Sequence, residues 1–515
     1  MESVVQKLPR TTTRPGVPLA ALAGAQFTVM LATSIVNVAL PQIRSGVGLS
    51  DSGTTWVVNA YGLVFGALLL AGGRAADLLG RRRVLLAGLG LFAAASSAAG
   101  LATTSSALIA ARAAQGLGAA AIAPAALALT MDLFPPGPGR GRALGVWGAV
   151  SGAGGAAGVL LGGVLTQAWG WPWIFHAVAV GACLVLAAAA VFVPPAPAAD
   201  GGRFDLPGTA AVTLVLTALV WGLTSARRSG WTDTRVLGAF ALAAVLLVVF
   251  VLIERRHPNP LLPPRLFTAG GRVAAGNVLM ALLGSVWIAL FFFLPLYQQQ
   301  VLGSSPLVTG LGQLPLAAAN MIGSALAPRV SRRIGSTATL TAALLTEAAG
   351  LLWLSRISAH GSYPADVLGP SLLVGLGLSI AFVQLTALSV EGVPGPDAGL
   401  AGGLVNTTRQ VGGAIGLAVL ATLAGSVTSG AAPRQPHLEA LTTGYRTAFG
   451  VAAAVLTVTA VLALILTRRG AARTGPGGVR DARPVPAHPD PSRSLPSPPR
   501  TADHGPLTIA PPTEK

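Results

Sequence analysis

The sequence predicts an all-α, polytopic membrane protein, and three observations carry that prediction. Only 10% of the 515 residues are charged, against the roughly 25% with which soluble chains cover their surfaces. Hydrophobic residues make up 52%, and mean hydropathy is +0.68. The apolar residues fall in many blocks of about 20, the length a helix needs to cross a bilayer core of about 30 Å. A soluble chain this long would divide into several domains, each needing a charged surface that this composition does not supply.

Taken in chain order, residues 1–17 are polar and carry Lys7, Arg10 and Arg14. The apolar run after them is long enough to span the membrane and has no clear A-x-A site, so no cleavable signal peptide is expected. Fourteen spans are expected, at about 18–40, 54–72, 84–102, 106–131, 143–166, 172–194, 207–225, 236–253, 273–297, 307–328, 336–354, 366–388, 398–425 and 445–467. An even count puts both termini on one side. If that side is the cytoplasm of a cell membrane, the inside segments hold 25 of the 34 basic residues. The outside segments hold seven: Arg44, Arg227, Arg228, Arg235, Arg356, Arg434 and, at the outer edge of the last span, Arg446. Arg112 and Arg409 fall within spans. That asymmetry follows the positive-inside rule, so the net charge of +17 reflects topology and tail and calls for no nucleic-acid partner. Residues 468–515, which include "DARPVPAHPDPSRSLPSPPR", are too poor in apolar residues to fold and are predicted to be a disordered cytoplasmic tail.

Enzyme chemistry finds no support. There is no Ser/His/Asp cluster, HExxH motif or Gly-Lys-Ser/Thr phosphate loop. ATP hydrolysis by this chain is therefore not expected, and no cofactor or metal is implied. Cys183 is the only cysteine, which excludes a disulfide framework and leaves it as a small apolar filler.

Three stretches carry the functional signal. The short basic loop "GGRAADLLGRRR" (72–83) sets Asp77 among Arg74, Arg81, Arg82 and Arg83, with Gly73 and Gly80 permitting tight turns. Arginines alone would fix topology; an acid in their midst predicts a charge-paired latch between helix ends. Span 4 holds Arg112, about 9 Å below its outer end at 1.5 Å per residue, with Gln115 one turn on. A charge inside a span is costly and points to function. In span 5, Gly154, Gly158 and Gly162 recur every four residues and predict a smooth face for close helix packing.

These motifs resemble those of the major facilitator superfamily. Gly73, Ala76, Asp77, Gly80, Arg81 and Arg82 match its G-x-L-A-D-R-x-G-R-R loop, with Leu78 where a basic residue is usual. In the family that loop helps hold one access state closed. Arg112, Gln115 and Gly116 match its R-x-x-Q-G motif, tied to proton coupling. The glycine ridge resembles the antiporter motif G-x-x-x-G-P-x-x-G-G, with Val159 replacing the proline. Further stretches, "NTTRQVGGAIG" (406–416), "ERRHPNPLLPPRLF" (254–267), "YQQQVLGSSPL" (297–307) and "WPWIF" (171–175), are similar to the fourteen-helix drug/proton antiporter branch.

The resemblance implies a major facilitator fold: a six-helix bundle over 18–194, two inserted helices and a linker over 195–272, and a second bundle over 273–467. The substrate site would lie between the bundles near the midplane. It implies a secondary transporter, expected to be a monomer, that exports amphipathic drugs or antibiotics with protons as coupling partner. An uncoupled facilitator and a non-transporting membrane receptor are the alternatives. Gln26, Thr33, Asn37, Asn59, Asn277, Gln313, Gln384 and Arg409 are expected to line the cavity.

One departure bears on substrate. The first helix of this branch commonly reads L-D-T-T-I-V-N-V-A-L-P; here it reads "LATSIVNVALP", with Ala32 in the aspartate's place. Ala32 lies about 13 Å below the outer end of its span, near the depth of Arg112. The arginine has thus lost its expected partner. Glu347 is the one acid well inside a span, about 10 Å from the outer end of span 11, and is a candidate for coupling. His176 in span 6 is a candidate of the same kind, and Asp132, about 30 Å from Arg112, is too far to pair with it. A cavity holding Arg112 without the acid predicts a neutral or anionic substrate.

Overall fold

Helix starts and stops follow local chemistry. Ser50, Thr104, Asp205, Asp233 and Ser305 each accept a backbone N–H of the following turn and cap a helix start. Prolines occupy the first turn after several starts, among them positions 172, 207, 306, 315 and 370, where no N–H is needed. The computed structural model describes residues 16–134, 138–194, 205–257, 260, 272–391, 393 and 398–473. Of the predicted tail, 468–515, residues 468–473 are helical and continue the last span instead of being disordered; the rest, from 474 on, and the first 15 residues lie outside the described ones.

The first six helices are α1 (Gly16–Gly46), α2 (Asp51–Leu79), α3 (Arg81–Gly100), α4 (Ser105–Leu133), α5 (Pro138–Trp169) and α6 (Pro172–Phe192). An inserted pair follows, α7 (Leu206–Ser229) and α8 (Thr234–Arg256). Then come α9 (Arg272–Gln300), α10 (Pro306–Gly312), α11 (Leu314–Ile334), α12 (Ser336–Leu354), α13 (Gly369–Val390), α14 (Ala398–Ala431) and α15 (His437–Arg473). A π-helical turn, Tyr363–Leu368, leads into α13. Among the described residues there is no strand.

Thirteen of the described helices are long and apolar enough to cross a membrane. The fourteenth predicted span, 307–328, is built differently from the continuous helix expected. It is the pair α10 and α11, broken at Gln313. There the chain tightens, with the Gln313 N–H donating to Gly310 O at 3.2 Å, and Pro315 supplies no donor to carry the helix through.

Within the first half α1 packs on α5, α2 on α4, and α3 on both α4 and α6. The second half repeats this style, with α9 on α14 and α13 on both α11 and α12. The halves meet where α2 lies along α14, α1 against α9, and α5 against α10 and α11. The inserted α7 covers the α2/α14 seam, burying Leu216 and Val220 against Leu63, Ala67, Ala414 and Ala418. Its partner α8 exposes Leu237, Leu242, Val245, Leu247 and Val248. In water such a face would be a liability; in a bilayer it is a lipid-facing surface.

Two glycines with positive φ make the sharp reversals at one end of the molecule. Gly80 (φ 95°) joins α2 to α3, and Gly335 (φ 83°) joins α11 to α12. Only glycine adopts such backbone without strain.

Candidate functional site

The latch loop forms at the Gly80 reversal. The Arg81 guanidinium donates from Nε and Nη2 to Asp77 Oδ1 at 3.0 and 2.9 Å. Its Nη1 donates to Asp132 Oδ1 at 2.6 Å. One arginine at the start of α3 thereby ties the end of α2 to the end of α4. Arg82 donates to Ala190 O at 2.6 Å and reaches the end of α6. Gly73 lies where a Cβ would sit 3.5 Å from Pro124 Cβ, an ordinary contact. Asp132, too far from Arg112 to pair with it, is the residue the sequence reading left out of the latch. Its presence in a span end facing the basic loop was the available signal.

The glycine ridge of α5 lies on α1. A Cβ at Gly154 would stand 2.8 Å from Phe27 O, at Gly158 2.8 Å from Leu31 O, and at Gly162 2.5 Å from Ile35 O. These are backbone atoms, so any side chain at these positions would force the two helices apart.

In α4, in the first third of the helix, Arg112 is buried, with 1% of its surface exposed. Its Nε donates to Val57 O at 3.0 Å, and its Nη1 donates to Gln115 Oε1. Gln115 Nε2 donates to Ser96 Oγ at 2.8 Å, and Ser96 in turn donates to Phe92 O at 2.6 Å. The guanidinium carbon sits 4.4 Å from the centroid of the Tyr61 ring. Tyr61 hydroxyl donates to Val29 O at 3.1 Å and accepts from Thr33 Oγ1 at 3.3 Å. An aromatic face from α2, anchored on α1 beside Ala32, therefore stands against the arginine. All the partners named are neutral. Ala32 itself is fully buried.

A cavity of about 170 Å³ lies between the halves. From the first half Thr33, Asn37, Asn59, Tyr61 and Arg112 line it; from the second, Trp287, Phe291, Gln313, Arg409 and Gln410 do. No Asp or Glu is among its described lining residues. Buried side-chain atoms of Asn37, Asn59, Gln313 and Gln410 have no hydrogen-bond partner in the protein, and such groups suit a polar ligand or water.

The other expected cavity residues are placed elsewhere. Gln26 donates to Ser151 Oγ at 3.1 Å, one shell behind the lining. Asn277 donates to Val273 O and accepts from Thr408. Gln384 accepts from Ser331 at 3.3 Å on α11. Glu347 is fully buried beside Gly377, on α12 facing α13, with neither carboxylate oxygen hydrogen-bonded. It does not line the cavity. His176 stands edge-on to Trp173 at 5.8 Å, also outside the lining. Tyr61, Trp287 and Phe291 were missed by the sequence reading. Trp287 and Phe291, four residues apart on α9, share one helix face, which was the signal available for them.

The halves are joined at the end opposite the latch. Gln42 Nε2 donates to Gln299 Oε1 at 3.2 Å, and Gln299 Nε2 donates to Val38 O at 2.6 Å. The Leu307 N–H donates to Gln167 Oε1 at 3.2 Å. Gly310 faces Val159 closely enough that a Cβ would lie 2.9 Å from Val159 O.

Two half-domains closed at one end over a shared central cavity match known proteins of one kind. Residues 22–417 match the Major Facilitator Superfamily. The cephamycin export protein of Amycolatopsis lactamdurans is 40% identical over 466 residues, covering 90% of this chain and 94% of its own. The puromycin resistance protein of Streptomyces alboniger is 39% identical over 479 residues, with the same two coverages, 90% and 94%. A crystal structure of a peptide transporter in complex with sulfate superposes with a TM-score of 0.65 at 16% identity, over 88% of this chain and 94% of that one, which speaks to fold alone. The chain belongs to the Major Facilitator Superfamily and is a multi-pass membrane transporter of small molecules.

Proposed function

We propose that this protein exports amphipathic antibiotics or drugs across the cell membrane by alternating access, driven by protons, acting as a monomer with both termini in the cytoplasm. The observation that supports this most is the cavity lined from both halves by amides, aromatics and two arginines. Such a pocket takes a bulky apolar body with a few polar groups. The relatives named above are called export and resistance proteins, which favours an antibiotic as cargo. In this reading residues 18–194 and 273–467 rock against each other. Gln42, Gln299 and Gln167 close the outer face, and Asp77, Arg81 and Asp132 brace the cytoplasmic helix ends. Arg112 and Gln115 form the central charge on which coupling turns, and the glycine ridge keeps α1 and α5 moving together. With two arginines and no described acid lining the cavity, the preferred substrate is neutral or anionic.

An uncoupled facilitator is the second reading, favoured by the absence of a carboxylate among the described lining residues. Uptake into inverted vesicles separates the two. Accumulation that collapses when the pH gradient is dissipated supports the exporter; equilibration indifferent to the gradient supports the facilitator; no uptake of any substrate contradicts both.

A further inference from the structure

Arg112 and Arg409 line the same cavity from opposite halves, yet they are held very differently. Arg112 is committed to Val57 O and Gln115. Arg409 is not. Its Nε is buried with no hydrogen-bond partner. Among the described residues its guanidinium makes one hydrogen bond, a long one of 3.4 Å from Nη2 to Asn406 Oδ1. The faces of the guanidinium are nevertheless fixed: its central carbon lies 5.1 Å from the Trp287 ring centroid and 5.8 Å from that of Phe382. Those two rings are themselves locked edge to face at 5.4 Å and 79°. Gly284, directly against the Arg409 backbone, lets α9 approach closely enough for Trp287 to do this. A guanidinium held by its faces offers its N–H edge, and that edge matches a carboxylate in two-point geometry.

We propose that Arg409 is the anchor for an acidic group on the substrate, and that the cargo is an aromatic or apolar monocarboxylate. The carboxylate lies against the terminal nitrogens of Arg409, the buried Nε being out of its reach, and the apolar body lies along Phe291 and Met30, which also line the cavity. Arg112, already bonded, adds positive potential without direct contact. This deepens the export reading and rests on it for the location of the site.

The test uses the purified full-length protein in uncharged detergent, so that no anionic lipid competes. The probes are dansylglycine, ionised at pH 7.5, and its neutral methyl ester; dansyl emission reports entry into an apolar site. Wild type should bind the acid at least tenfold more tightly than the ester. Arg409→Gln should reduce that preference to twofold or less while leaving ester affinity within about twofold, because the same apolar lining still holds the body. Arg409→Lys should keep part of the preference. Equal or tighter binding of the ester by wild type overturns the proposal, as does an undiminished acid preference in Arg409→Gln. If Arg409→Gln binds neither probe, Arg409→Lys decides: retained preference supports the anchor, and equal binding of both probes overturns it. Efflux of the ester from vesicles is scored separately. A protein that exports the ester yet shows no acid preference overturns this inference and leaves export standing; one that prefers the acid but moves neither probe does the reverse.

Discussion

Tyr61 should prove to be what holds Arg112 in place, with Ala32 offering it no acid, and two substitutions separate its parts. Tyr61→Phe removes the hydroxyl, with its bonds to Val29 O and Thr33 at 3.1 and 3.3 Å. A neutral hydrogen bond contributes about 0.5–1.5 kcal/mol net. The ring remains 4.4 Å from the guanidinium carbon. Tyr61→Leu removes the ring as well. A desolvated cation–π contact contributes about 2 kcal/mol, and Tyr61 is only 1% exposed, so water is poorly placed to compensate. At about 1.4 kcal/mol per tenfold change, losing the ring corresponds to a shift of roughly thirtyfold against the present arginine position. Tyr61→Phe should therefore export at between about a tenth and about half of the wild-type rate. Tyr61→Leu should fall at least about tenfold below Tyr61→Phe and show a lower thermal unfolding midpoint. Export by whole cells and unfolding of the purified protein measure both. Equal export by the Phe and Leu variants, at equal expression, would refute the role given to the ring.

Three further outcomes follow from the same geometry. Asp77→Asn keeps the shape of the latch and removes one of the two acids on Arg81. Because these side chains are 31–43% exposed, the stability loss should stay within about 1 kcal/mol, while export is largely abolished with the protein still in the membrane; wild-type export by this variant would count against the latch. Gly158→Leu places a side chain onto Leu31 O and Ser34 of α1 and should cost about 1–3 kcal/mol by overpacking, read as a drop in unfolding midpoint, whereas Gly155→Ala, with open space at its Cβ, should leave the midpoint unchanged. Ala32→Asp puts a carboxylate one residue from Thr33, which touches Tyr61; in a panel matched for size and lipophilicity it should move preference toward cations, and an unchanged ranking would contradict the account of substrate charge.

The apolar blocks and the distribution of arginine made the helices legible in the sequence, because length and hydropathy alone decide whether a segment can cross a bilayer. The break at Gln313 was not read, since the composition of 307–328 is as apolar as a continuous helix requires and only Pro315 hints at a restart. Depth along a span was readable too, from the fixed rise per residue. Rotation about the helix axis was not. Asn277 and Gln384 sit in spans like Asn59 and Gln313, yet they turn toward Thr408 and Ser331. Which way a polar side chain points depends on the crossing of neighbouring helices, and no residue carries that alone. The same holds for Asp132, whose partner Arg81 lies 51 residues away in sequence. Where a residue has no side chain, as along Gly154, Gly158 and Gly162, the facing contact is nearly all backbone, and there the period of four was sufficient to place α5 on another helix.

Alternating access is tested most directly at the end where Gln42 and Gln299 meet at 3.2 Å. In a Cys183→Ser background, Gln42→Cys and Gln299→Cys would be joined by a short, reducible bis-methanethiosulfonate and drug export measured before and after reduction. If the two halves must part there to release cargo, the cross-linked protein stops exporting and reduction restores it. Full export with the cross-link formed would contradict the account.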